Sequence, residues 1–117
     1  MQYMLMFYET VGDIAARSGK NDTEYWAGWR AYVETARKSG IVQSGAGLHP
    51  PATATTLKLR NGGRKIQDGP FADAKEQLGG FFVIDVPDLD QALEWASRAP
   101  CASSGGVEVR PVLPPRM

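Results

Sequence analysis

Gln2-Tyr3-Met4-Leu5-Met6-Phe7-Tyr8 is apolar on both parities. In an extended strand Tyr3, Leu5 and Phe7 point to one side, and Met4, Met6 and Tyr8 to the other. A strand wetted on one face would alternate with polar residues, so this run predicts cover on both faces. Leu78–Val86 has the same character, with Phe82, Ile84 and Val86 set against Phe81 and Val83. Both runs therefore predict strands that need cover on both faces.

Working outward, residues 9–20 are polar and contain Gly12 and Gly19, which predicts a loop with room for a helical turn over Val11–Arg17. Helix signals begin at Asn21, Asp22 and Thr23, all good N-cap residues. Tyr25, Trp26, Trp29, Tyr32, Val33 and Ala36 then recur at helical spacing. Arg37 and Lys38 suit the negative end of the helix dipole, and Gly40 suits the position after the cap. The prediction is a helix over 22–39. Ile41–Leu48 predicts a second strand, with Gly45 and Gly47 marking a bulge or a close approach. Thr53–Arg60 and Arg64–Gln67 predict a hairpin closed at Asn61-Gly62-Gly63. After the Leu78–Val86 strand, Asp88 and Gln91 form a capping-box-like start to a second helix, and Pro100 stops it. Val107–Val112 predicts the last strand.

The order is βαβ, a hairpin, then βαβ. This predicts an α+β fold: a ferredoxin-like split βαβ with an antiparallel sheet and both helices on one face. Two helices cover one side of the sheet, and an open apolar face is too large a patch for a monomer. Closure by a second copy, sheet against sheet, is the simplest solution, so a homodimer is expected.

At 117 residues the chain is expected to be one domain, residues 1–117. Thirteen basic residues balance thirteen acidic ones, so the basic footprint of a nucleic-acid binder is missing and direct nucleic-acid binding is not expected. A single cysteine, Cys101, fits a reducing compartment and has no basic neighbour to activate it. The apolar N-terminus lacks a basic leader and is too short to cross a membrane, so a cytoplasmic, membrane-free location is expected. One histidine and one cysteine give no metal-ligand set, and the glycine pairs lack the Lys-Ser/Thr of a phosphate loop, so neither metal nor cofactor is expected.

Asp68-Gly69-Pro70-Phe71 is followed by Ala72-Asp73-Ala74-Lys75-Glu76-Gln77-Leu78-Gly79-Gly80-Phe81. With Glu94-Trp95-Ala96 and Glu108-Val109-Arg110-Pro111, these motifs resemble the YCII-related proteins, in the branch marked by an Asp-Gly-Pro-Phe motif. The resemblance covers nearly the whole chain. It implies the dimeric α/β barrel fold. Some members of the wider family are proposed to use a His–Asp pair, and one similar branch is a dehydrochlorinase. The family's His position, eleven residues before the helix-ending glycine, is Trp29 here. Its Asp position, four residues after the second-helix Trp, is Ala99. Neither side chain moves protons near neutral pH, so that chemistry does not carry over. Members are also encoded beside or fused to extracytoplasmic-function sigma factors, which implies a non-enzymatic regulatory role and a sigma-factor association as the alternative.

Asp68 and His49 are the candidate catalytic residues. Asp68 either orients a ligand or acts as a base at a cleft mouth, or its carboxylate accepts backbone N–H groups in its own turn. His49 is the one side chain with an ordinary pKa in the physiological range. It follows the glycine-bearing strand, and it is either an acid–base group or a loop residue before two prolines. Lys75, Glu76 and Arg110 are the candidate substrate-binding residues for a small-molecule ligand. Against this, Lys75 and Glu76 suit a solvated turn, and Arg110 shares a strand face with Glu108 and suits an ion pair. Phe71, apolar in a polar segment, is expected to dip into the core and anchor its turn.

Overall fold

The computed structural model describes residues 1–115. Strand β1, Gln2–Thr10, alternates strictly between buried and half-buried positions from Tyr3 onward. It lies in the middle of a four-stranded antiparallel sheet of order β2-β5-β1-β6, with β2 at Val42–Gly47, β5 at Glu76–Asp85 and β6 at Gly106–Pro111. This is the ferredoxin-like arrangement the element order predicts, with the two apolar runs side by side.

The helices cover one face. Thr10 ends β1 and caps the short helix α1, Val11–Ala16, in a reciprocal capping box with Asp13. Helix α2, Asp22–Lys38, buries Tyr32 and Ala36, and helix α3, Leu89–Ser97, buries Ala92 and Ala96. Alanine on the buried stripe of α3 lets that helix sit close to the sheet. Asp88 caps α3 by accepting from the Gln91 amide at 2.9 Å. Beneath the helices lie Tyr3, Leu5, Phe7, Phe82 and Ile84. The Phe7 ring meets Trp29, Tyr32 and Phe82 edge-on at 5.1, 5.9 and 5.5 Å between centroids. Gly45 makes room for this cluster, because a Cβ there would stand 2.4 Å from the Phe82 ring.

Trp29 therefore belongs to the core. Trp29→Ala is expected to destabilise the chain by about 3 kcal/mol, the low end for large aromatic truncations because the ring is only partly buried. Chemical denaturation measures this, and a variant as stable as the parent would remove Trp29 from the core.

The opposite face of the sheet carries Met4, Met6, Tyr8, Phe81 and Val83, all half-exposed. No element among the described residues covers it. The Cα envelope is only 18 Å thin in one direction, the depth of one sheet backed by one helical layer.

Between β2 and β5 the chain leaves the sheet. A single 3₁₀ turn at Pro51–Thr53 leads into a separate two-stranded hairpin of β3, Thr55–Arg60, and β4, Gly63–Asp68. Its turn has positive φ at both Asn61 (52°) and Gly62 (76°), the primed conformation that matches strand twist. Phe71 does not dip into the core. It is 72% exposed, with the Lys58 ammonium 4.9 Å above its ring. The Gly69-Pro70 turn is held instead by hydrogen bonds at Gly69: its amide donates to the Ala54 carbonyl at 2.7 Å, and the Thr56 hydroxyl donates to its carbonyl at 2.8 Å. No helix among the described residues is long and apolar enough to cross a membrane.

Candidate functional site

Glu9 continues the buried alternation of Tyr3, Leu5 and Phe7, and it is 2% exposed. A carboxylate on a covered face must find a cation and donors to offset its lost hydration. Arg17, just past α1, supplies the cation: its Nη2 donates to Glu9 Oε1 at 2.6 Å. Tyr25, in the first turns of α2, donates its hydroxyl to Glu9 Oε2 and accepts from Arg17 Nε at 3.1 Å. Arg17 reaches further, from Nη1 to the Leu48 carbonyl at 2.5 Å and from Nη2 to the Gly79 carbonyl at 3.2 Å. One guanidinium thus ties together the ends of β1, β2 and β5. The register of β1 against β5 slips between Phe7 and Tyr8, which leaves Gly79 as the extra residue. A Cβ on Gly79 would stand 2.2 Å from Glu9 Oε1, so the network needs glycine there.

Burial alone would lower the Arg17 pKa, but the hydrogen bonds and charges of Glu9 and Tyr25 outweigh it and hold the guanidinium above its ordinary value. Burial, with Glu9 beside it, pushes the Tyr25 phenol up to about 12. The Arg17 guanidinium therefore stays charged and the Tyr25 phenol stays protonated around neutral pH. Burial, with the charge of Glu9 behind it, also pushes the Cys101 thiol up to about 12, which makes it a poor nucleophile.

Above this network a pocket of about 340 Å³ opens beside the ends of β2 and β5. Leu48, His49, Pro50 and Pro51 line one side, and Pro70, Gln77 and Leu78 the other. Two of its walls are set by Arg17: Leu48 through its own carbonyl, and Leu78 through the Gly79 carbonyl that follows it. The Gln77 carboxamide is tied to the Ala72 and Ala74 carbonyls at 3.0 and 2.9 Å. The lining is apolar except for the His49 imidazole, the Gln77 amide and the Thr53 hydroxyl, and the hydroxyl already donates to the Pro50 carbonyl at 2.7 Å.

The sequence candidates distribute unevenly around this pocket. His49 and Pro70 of the Asp68–Phe71 motif line it. Asp68 is exposed at the end of β4, opposite Thr55, and its carboxylate makes no hydrogen bond among the described residues. The turn-holding role open to Asp68 from sequence thus falls to the Gly69 amide and the Thr56 hydroxyl. Lys75 and Glu76 are exposed at the start of β5. Arg110 lies on the uncovered sheet face opposite Met4, pairing with Glu108 at 2.7 Å. Trp29 packs in the aromatic cluster, and Ala99 is buried. Among the described residues, no cluster of His, Cys, Asp or Glu could hold a metal ion.

Sheet order, helix placement and hairpin define a ferredoxin-like α+β protein with an inserted arm. The chain belongs to the YCII-related domain family, whose match covers residues 1–116. It is 40% identical over 118 residues to an uncharacterised protein of Rhizobium meliloti, covering 96% of this chain and 92% of that one. Among solved structures it resembles 5-chloro-2-hydroxyhydroquinone dehydrochlorinase from Burkholderia phenoliruptrix, in complex with 2,5-dihydroxybenzoquinone. That likeness has a TM-score of 0.56 at 16% identity and covers 97% of this chain and 94% of that one, which shows a shared fold.

Proposed function

We propose that the protein is a homodimer that binds a small molecule in the pocket between the ends of β2 and β5, with His49 as its proton-transferring group in lyase-like chemistry. The observation that carries this reading is the pocket itself, which brings the one histidine of the chain to an otherwise apolar wall. Proline and leucine surfaces suit a flat, apolar ring, and an imidazole suits a ring-borne hydroxyl. The family's His–Asp positions hold Trp29 and Ala99, so proton transfer falls to another residue. A dehydrochlorinase of the same fold that holds a dihydroxyquinone supports this class of ligand. Lys75 and Glu76, at the edge of the loop that precedes Gln77, would contact polar substituents of the ligand. Asp68 and Arg110 would act only outside the pocket, since neither lines it.

The test uses 2,5-dihydroxybenzoquinone as the probe, followed by its visible absorbance. Saturable binding is expected. His49→Gln should weaken it about tenfold, the equivalent of one hydrogen bond at about 1.4 kcal/mol. Asp68→Asn should bind as the parent does. Unchanged binding in His49→Gln would defeat the reading.

A further inference from the structure

Gln77 stands half-buried on the wall of the pocket, and one end of its amide is held while the other is open. The carboxamide nitrogen carries two N–H groups. It donates to the Ala72 carbonyl at 3.0 Å and to the Ala74 carbonyl at 2.9 Å. Both partners are carbonyl oxygens, which only accept, so the nitrogen is the atom that faces them. That choice leaves Oε1 on the other arm of the amide. Oε1 has no hydrogen-bond partner among the described residues, and it is not a buried atom left unsatisfied. It is an accessible acceptor whose orientation is set by the loop.

The rest of the wall has the same bias. The Thr53 hydroxyl commits its proton to the Pro50 carbonyl, so toward a ligand its oxygen can only accept. Pro50, Pro51 and Pro70 have no N–H. The amides of Leu48, Thr53 and Ala54 are committed to the carbonyls of Gly79, Pro50 and Pro51 at 2.9, 2.9 and 3.0 Å. Among these wall residues His49 alone has an N–H to give. The pocket is short of donors and has lone pairs to fill.

We infer that Gln77 sets the specificity of this pocket, selecting flat ligands that carry a neutral ring hydroxyl and donate it to Gln77 Oε1; this rests on the pocket being the ligand site and adds the direction of the hydrogen bond. The ligand gives the proton and the protein takes it. A methyl ether in the same place offers only lone pairs, and it strips Oε1 of water without replacing the bond. Turning the Gln77 nitrogen toward such a ligand would break both bonds to the loop. His49 can donate or accept, so it does not distinguish the two ligands.

The experiment titrates the whole chain at pH 7 with hydroquinone and with 1,4-dimethoxybenzene, followed by calorimetry. Both are flat rings with two opposed oxygens, and both are uncharged, since a phenol ionises only near pH 10. Only hydroquinone has O–H donors. The parent should bind hydroquinone about tenfold more tightly, the equivalent of one hydrogen bond. Gln77→Leu removes the acceptor at similar volume and should bring the two affinities close together. If Gln77 merely held its loop, that variant would weaken both ligands alike and keep their ratio. The parent ratio is read without any variant, so the test stands even where Gln77→Leu does not fold. Equal affinities in the parent, or a parent ratio that survives in Gln77→Leu, would overturn the role of Gln77 and leave the pocket as the ligand site. Binding of neither ligand would overturn both.

Discussion

Glu9→Ala is expected to cost about 3–5 kcal/mol, a large share of the roughly 5–15 kcal/mol that holds a domain of this size folded. The substitution removes more than one ion pair. Arg17 has a side chain only 12% exposed, and it would keep two backbone carbonyls but no counter-charge. Tyr25 would lose the acceptor of its hydroxyl. Leaving a buried charge unpaired costs more than the pair contributes, so the penalty is largest when the carboxylate alone is deleted. Glu9→Gln keeps the shape and an acceptor oxygen and should fall between Glu9→Ala and the parent. Urea unfolding reads the difference as a lower midpoint at unchanged slope. A loss below about 1 kcal/mol would mean that the strand ends are held by something other than this network. The expectation also couples to the pocket. Arg17 fixes the Leu48 carbonyl one residue before His49, so probe binding should weaken in Glu9→Gln even under conditions where the variant stays folded.

Most of the sheet was legible because its signals are local. The apolar run of residues 2–8 marked β1 as a strand, and the stripe from Tyr25 to Ala36 marked α2 as a helix with one apolar face. Asn61-Gly62 specified its turn through the positive φ that those two residues tolerate. The Glu9 network was not legible as a site. Read as ending at Tyr8, the first strand left Glu9 in a polar loop. The structure extends it to Thr10, so Glu9 falls on the buried parity. The signal was present in that parity: a carboxylate in phase with Tyr3, Leu5 and Phe7 demands a cation. Which cation could not be read, because the meeting of Arg17 with Glu9 depends on the bulge at Gly79, far along the chain. Phe71 misled for the opposite reason. Its apolar character suggested burial, but the turn it follows is already held by the Gly69 amide and the Thr56 hydroxyl, and the ring lies outside beneath Lys58. His49 was singled out by its chemistry and by its place after the glycine-bearing strand, and its position on a pocket wall follows from the chain leaving β2 at Leu48.

Phe82 and Phe81 are neighbours that report on opposite faces of the sheet, and Asp at each should give different outcomes. Phe82 is 5% exposed, between Phe7 and Tyr32, with centroids 5.5 and 5.9 Å away. A lone carboxylate there would lose its hydration with no partner, costing several kcal/mol on top of the cavity left by the ring, so Phe82→Asp should not yield a folded chain. Phe81 is half-exposed, opposite Met6 on one side and Ala46 on the other, on the face that no helix covers. A carboxylate there stays hydrated in a single chain and is desolvated only when a second sheet packs on it. Phe81→Asp should therefore melt cooperatively, near the parent, yet fail to associate. Sedimentation reads this interface directly. The parent should sediment at twice its 12.7 kDa chain mass and Phe81→Asp at the single mass. If the parent sediments as a single chain at micromolar concentration, or Phe81→Asp remains at twice the mass, sheet-to-sheet pairing is wrong, and the half-exposed methionines and Phe81 are simply the outer surface of a monomer.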